Sequence, residues 1–143
     1  MSPSPHFLDL YTRDEVSQVL LDVLSSFDLE WIYLFGSAAQ KEDHSQSDLD
    51  FAFYSHTLYD SVDLFLKAQL LAQRFQKEVD LIQLKTASTV FQKEVIHSSV
   101  LLYEKESSQS QRELYESIVL KKYARLNEER ALLLEQYGVN LDD

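Results

Sequence analysis

An apolar run that ends in Gly36-Ser37 and another that opens with Asp48-Leu49-Asp50 constrain this chain more than any other feature. The first run is Ile32-Tyr33-Leu34-Phe35, the second is Phe51-Ala52-Phe53-Tyr54, and ten residues separate Ser37 from Asp48. Both runs are short and aromatic-rich, which reads as two strands rather than helices. A glycine directly after a strand lets the backbone turn sharply and an anion approach the main chain. If Ser37 opens a short helix, its hydroxyl and the following N–H groups face that same anion. Taken alone, Gly36-Ser37 also fits an ordinary strand-ending turn, because both residues populate turns freely.

The acidic half of the pattern is more specific. Residues two apart on a strand share a face, so Asp48 and Asp50 project together, roughly 6.5 Å apart along the strand. Leu49, Phe51 and Phe53 then face the core. Aspartate is depleted from strand interiors, so two of them opening an aromatic strand need a reason. A hard cation such as Mg²⁺ supplies one, because it takes carboxylate and phosphate oxygens together. A solvated strand start is the simpler alternative. A third acid, Asp80, sits in the alternating run Glu78-Val79-Asp80-Leu81-Ile82. If that strand pairs beside the second one, Asp80 reaches the same cavity and can act as a general base. Four fixed positions at roughly 6% usage each recur by chance about once in 10⁵ positions, and the flanking strands make coincidence rarer still.

Bulk properties bound the rest. The chain has 143 residues with 45% hydrophobic content, which fits a single domain over 1–143: a core over 1–106 and a helical extension over 107–143. It has no cysteine, so disulfides and thiolate metal sites are excluded. The opening Met-Ser-Pro-Ser-Pro-His lacks the basic and apolar blocks of a secretory leader, and no apolar run is long enough to span a bilayer. A cytoplasmic protein without membrane association is expected. The formal charge of −11, from 24 acidic and 13 basic residues, disfavours stable binding to nucleic acid. A nucleoside triphosphate is anionic too, and its binding requires a divalent cation and backbone donors. Part of the acidic excess suits a basic protein partner.

Periodicity expects the order α-β-β-α-β-α-β-α, an α+β or mixed α/β domain with a sheet of about four strands flanked by helices. Thr12 and Glu15 form a capping box opening a helix to about Ser26. Strands are expected at Trp31 to Phe35, Asp48 to Tyr54, Glu78 to Leu84 and, at a sheet edge, Val100 to Tyr103. A helix from Leu58 or Asp60 through Phe75 carries Val62, Phe65, Leu66, Leu70 and Phe75 as its apolar stripe. Another runs from Thr86 to Ser99. Ser110 and Glu113 read as a second capping box, opening a long helix that stops before Gly138. Its stripe is Tyr115, Ile118, Val119, Tyr123, Leu126, Leu133, Leu134 and Tyr137.

Gly-Ser, ten residues, Asp-x-Asp and a later strand Asp resemble the minimal nucleotidyltransferases of the DNA polymerase β superfamily. Within it, the short acidic chain with a helical extension is similar to MntA-type antitoxins. The resemblance covers Trp31 to Gln83 specifically. It implies a polymerase-β-like palm, with Gly36 and Ser37 on the triphosphate and Asp48, Asp50 and Asp80 at two Mg²⁺ ions. It further implies transfer of AMP from ATP to a tyrosine of a HEPN-type ribonuclease toxin, HepT. One position departs: many relatives have a glycine five residues after the motif glycine, where this chain has Lys41, so the loop is expected to be stiffer.

The motif specifies only the donor half of the reaction, so other acceptors remain open: a small molecule such as an aminoglycoside, or an RNA end. The chain is also compatible with a non-catalytic antitoxin that binds its toxin through the long helix. His6, His44, His56 and His97 share no metal-ligand spacing. His44 and Lys41 lie in the site loop and are candidates for nucleotide contact.

Overall fold

The computed structural model describes residues 5–138. The residues of the leader reading before Pro5, and the last five of the expected 107–143 extension, lie outside the described residues.

The first nine described residues already hold a helix that periodicity missed. Helix α1 spans Phe7–Leu10 and is capped reciprocally by His6 and Asp9. Its single turn is too short to show a repeat, yet Phe7 is buried beneath it. Helix α2, Arg13–Val23, opens on the expected capping box. The Glu15 N–H donates to Thr12 Oγ1 at 3.1 Å and the Thr12 N–H to Glu15 Oε1 at 3.0 Å. Val16 and Leu20 anchor its inner face.

Four strands follow the expected plan: β1 (Trp31–Phe35), β2 (Leu49–Tyr54), β3 (Val79–Gln83) and β4 (Val100–Glu104). The sheet order is β3-β2-β1-β4, so β4 lies at an edge as its shortness predicts. β1 pairs antiparallel with both neighbours, and β2 pairs parallel with β3. Parallel strands need a crossover, which helix α3 (Ser61–Phe75) provides.

Helices cover both faces. Ile32, Leu34, Leu49, Phe51 and Phe53 pack toward α1, α2 and α3 in the main core. Trp31, Tyr33 and Ala52 face a second cluster that includes Val95 of α4 (Thr89–Ser98) and Tyr115 of α5 (Gln109–Gln136).

Three expectations about the helices are corrected. On α3 the buried residues are Ala68, Leu71 and Phe75, whereas Val62, Phe65, Leu66 and Leu70 are exposed. The helix is apolar on two faces, and local periodicity cannot choose between them. The Ser110–Glu113 box does not form: the helix begins two residues earlier, with Ser108 as its N-cap position. The Ser108 hydroxyl instead donates to the buried carboxylate of Glu30, a partner far away in sequence. Along α5 only Val119 of the expected stripe is buried, with Tyr115, Tyr123 and Leu134 half-buried and Ile118, Leu126, Leu133 and Tyr137 exposed.

Candidate active site

Asp50 stands second in β2, opposite Phe35 of β1 on one side and opposite Asp80 of β3 on the other. Register alone therefore brings two carboxylates, thirty residues apart in sequence, to adjacent positions on one face of the sheet. The parallel pairing of β2 and β3 is what makes this contact. The two side chains are close enough to share a hydrogen bond when one is protonated.

Gly36 follows Phe35 directly and lies against the Asp50 side chain. Its φ is +74°, a left-handed conformation that favours glycine. A Cβ at this position would collide with Asp50 Oδ2 and lie 3.2 Å from its Cγ. Glycine is thus required twice, by conformation and by the carboxylate lying against it. From Ser37 the chain makes turns rather than the helix considered from the sequence. The N–H groups of Gln40 and Glu42 donate to the Ser37 carbonyl, at 3.2 and 2.9 Å.

Asp48 sits one residue before β2 and is exposed, as is Asp80, while Asp50 is half-buried. Burial raises the Asp50 pKa to about 6, helped by the negative charge and hydrogen bond of Asp80 and by the charge of Asp48. Three carboxylates thus act on one another at this point. Among the described residues no three His, Cys, Asp or Glu side chains form a ready-made metal cage. Mg²⁺ does not need one, since it is usually held by one or two carboxylates plus substrate phosphates and water. A mutually repelling Asp50–Asp80 pair, with Asp48 beside it, is a donor set that fits such an ion.

The long loop between β1 and β2 is tied down by the N-terminal segment, a support that sequence reasoning missed. Buried Asp43 accepts from the Phe7 N–H at 2.8 Å, and the His6 ring lies 3.2 Å from its other oxygen. Lys41 donates to Asp9 at 3.0 Å. Lys41 also has φ +54°, so a residue with a side chain occupies a left-handed position that suits glycine. Its ammonium is directed to Asp9, not to the Asp50–Asp80 pair. His44 folds onto its own loop, its ring accepting from the Gln46 N–H at 3.2 Å. The apolar pattern Phe7-Leu8-x-Leu10-Tyr11 was the one signal that this segment packs.

Comparison with known proteins bears on this arrangement. The family described as polymerase beta, nucleotidyltransferase, matches residues 18–108. Protein adenylyltransferase MntA of Shewanella oneidensis is 32% identical over 112 residues, which is 78% of each chain. A crystal structure of a toxin–antitoxin with AMP-PNP superposes with a TM-score of 0.75 at 29% identity, covering 90% of this chain and 100% of that one. A tri-AMPylated Shewanella oneidensis HEPN toxin in complex with an MNT antitoxin gives a TM-score of 0.68 at 27% identity, covering 89% and 96%.

Proposed function

The chain belongs to the polymerase beta nucleotidyltransferase family, and from that premise we propose that it transfers AMP from ATP to a tyrosine of a HEPN ribonuclease toxin, acting as the antitoxin. The observation that carries this reading is the in-register pair Asp50–Asp80 with the Gly36 backbone packed against Asp50. The relatives support the choice of acceptor, since one is a protein adenylyltransferase and another is bound to an AMPylated HEPN toxin.

Asp48, Asp50 and Asp80 are the residues that would hold Mg²⁺, two ions in this reading. A metal held there would supply positive charge against the phosphates and the departing pyrophosphate. The remaining roles fall to the chain. The turn at Gly36 and Ser37, free of a Cβ at its first residue, offers main-chain donors to the triphosphate. Asp80, exposed at the sheet edge, accepts the proton of the attacking hydroxyl. The hydroxyl oxygen bonds to the α-phosphorus, the bond from that phosphorus to the β-phosphate oxygen breaks, and pyrophosphate departs.

Incubation with labelled ATP, Mg²⁺ and a HEPN toxin should place label on the toxin. The Asp48→Asn, Asp50→Asn double variant should lose transfer while keeping its fold, because the removed charges repel one another without metal. Transfer at the wild-type rate in that variant would refute the site, and an unlabelled intact toxin would refute the acceptor.

A further inference from the structure

Strand β3 closes one side of the sheet, pairing among the described residues with β2 alone. Along its free side runs a groove of about 460 Å³, lined by every residue from Glu78 to Ile82 and by Ser61, Leu64, Phe65 and Ala68 of α3. Successive side chains of a strand point to opposite faces. A groove that touches five in a row therefore lies against the strand's edge rather than on either face.

One ladder bond decides which backbone groups look into it. The Leu49 N–H donates to the Glu78 carbonyl at 2.9 Å, so Glu78 turns toward β2. Alternate residues of a strand direct their N–H and C=O groups to the same side. Asp80 and Ile82 therefore also turn toward β2, and Val79 and Leu81 turn their donors and acceptors into the groove.

We propose that this groove receives an extended segment of the acceptor protein, added to the sheet as a fifth strand, which carries the accepting hydroxyl to Asp80. The proposal rests on the AMP-transfer reading and deepens it by saying how the acceptor is presented. Strand addition uses main-chain hydrogen bonds for affinity and side pockets for alternate side chains. Here the free edge supplies the first and the exposed Phe65 with Leu64 and Ala68 supplies the second.

Charge selects the occupant. Glu78 and Asp80 are both exposed and line the groove, within a chain of net charge −11. A second copy of this chain paired edge to edge would set these carboxylates against their own kind. Charges on an edge strand act against such self-pairing. A triphosphate laid along the groove would meet the same repulsion. A segment with lysine or arginine beside its hydroxyl-bearing residue meets attraction instead, and it ends at the carboxylate that takes the proton.

The test is amide hydrogen exchange, resolved by residue, on the full chain alone and bound to a HEPN toxin that the wild-type chain labels with AMP. The Val79 and Leu81 amides should slow at least about tenfold on complex formation, while Asp80 and Ile82, already turned to β2, change little. The variant Gln69→Trp, which fills the groove from α3, should raise KM for the toxin at least about tenfold and leave KM for ATP unchanged. Labelled toxin with unchanged Val79 and Leu81 exchange, or an unchanged toxin KM in the variant, overturns the strand-addition proposal alone. Failure of the wild-type chain to label any HEPN toxin overturns the transfer reading, and this proposal with it.

Discussion

The pKa of the Asp50 carboxyl is raised by its surroundings, and the cause is local: partial burial first, then Asp80, then Asp48. Its folded pKa of about 6 lies above the ordinary value of 3.8. Between those values the folded chain binds more protons than the unfolded one, so this residue lowers stability as pH rises from about 4 to 6. Solvent screens part of the repulsion at a half-exposed group. Asp50→Asn should remove that pH dependence and raise Tm at pH 7.5 by about 2–5 °C, the size of a change near 1 kcal/mol; thermal melts from pH 4 to 8 check this. Gly36→Ala should act in the opposite sense. It forces a side chain into a left-handed backbone and against Asp50, costing about 1–3 kcal/mol. By displacing Asp50 it should also reduce AMP transfer about 100-fold, read from single-turnover assays beside the melts.

Among the elements, α3 separates burial from mere apolarity most sharply. Its two apolar faces carry leucines at adjacent positions, Leu70 and Leu71, and only Leu71 enters the core. Leu71→Ala should cost about 2–5 kcal/mol by leaving a cavity. Leu70→Ala should stay within about 0.5 kcal/mol. Urea titrations with matching slopes would show the difference as a shift in midpoint for Leu71→Ala only. Of the exposed apolar residues of α3, Phe65 lines the β3 groove, while Leu66 and Leu70 line a separate hollow with Phe27 and Tyr59. The loop from Gly36 to Asp48 shows the converse. It is polar by composition, yet Asp43 is buried beneath α1 and holds the Phe7 N–H.

Over the whole molecule, stability is concentrated in the sheet and its helices and thins out along α5. Beyond Tyr123, whose ring is capped by the Lys93 ammonium at 4.8 Å, only Leu134 is even half-buried up to Gly138. A chain ending at Leu126 should therefore keep its Tm within about 4 °C of the full chain, as a melt of the two side by side would show. The near end of α5 is held differently. Arg112 bonds Glu104 of β4 at 2.5 Å and Glu116 at 3.1 Å, and Tyr33 donates to Glu116 at 2.6 Å. That network ties the helix to the central strand β1 and to the edge strand β4.

Local patterns were enough for the four strands, the α2 cap and the Gly-Ser turn, because each depends on residues a few positions apart. The same is true of the alternation that sends Leu49, Phe51 and Phe53 inward. The neighbourhood of Asp50 and Asp80 depended on a parallel pairing across a helical crossover, which the spacing permits but does not require. Which face of α3 is buried, why Ser108 turns to Glu30 rather than capping α5, and how Asp43 anchors the site loop were settled by contacts between residues 36 or more positions apart or by competition between equally apolar faces. Such choices belong to the packed fold, since a short-range repeat records that a residue is apolar and not what it will meet.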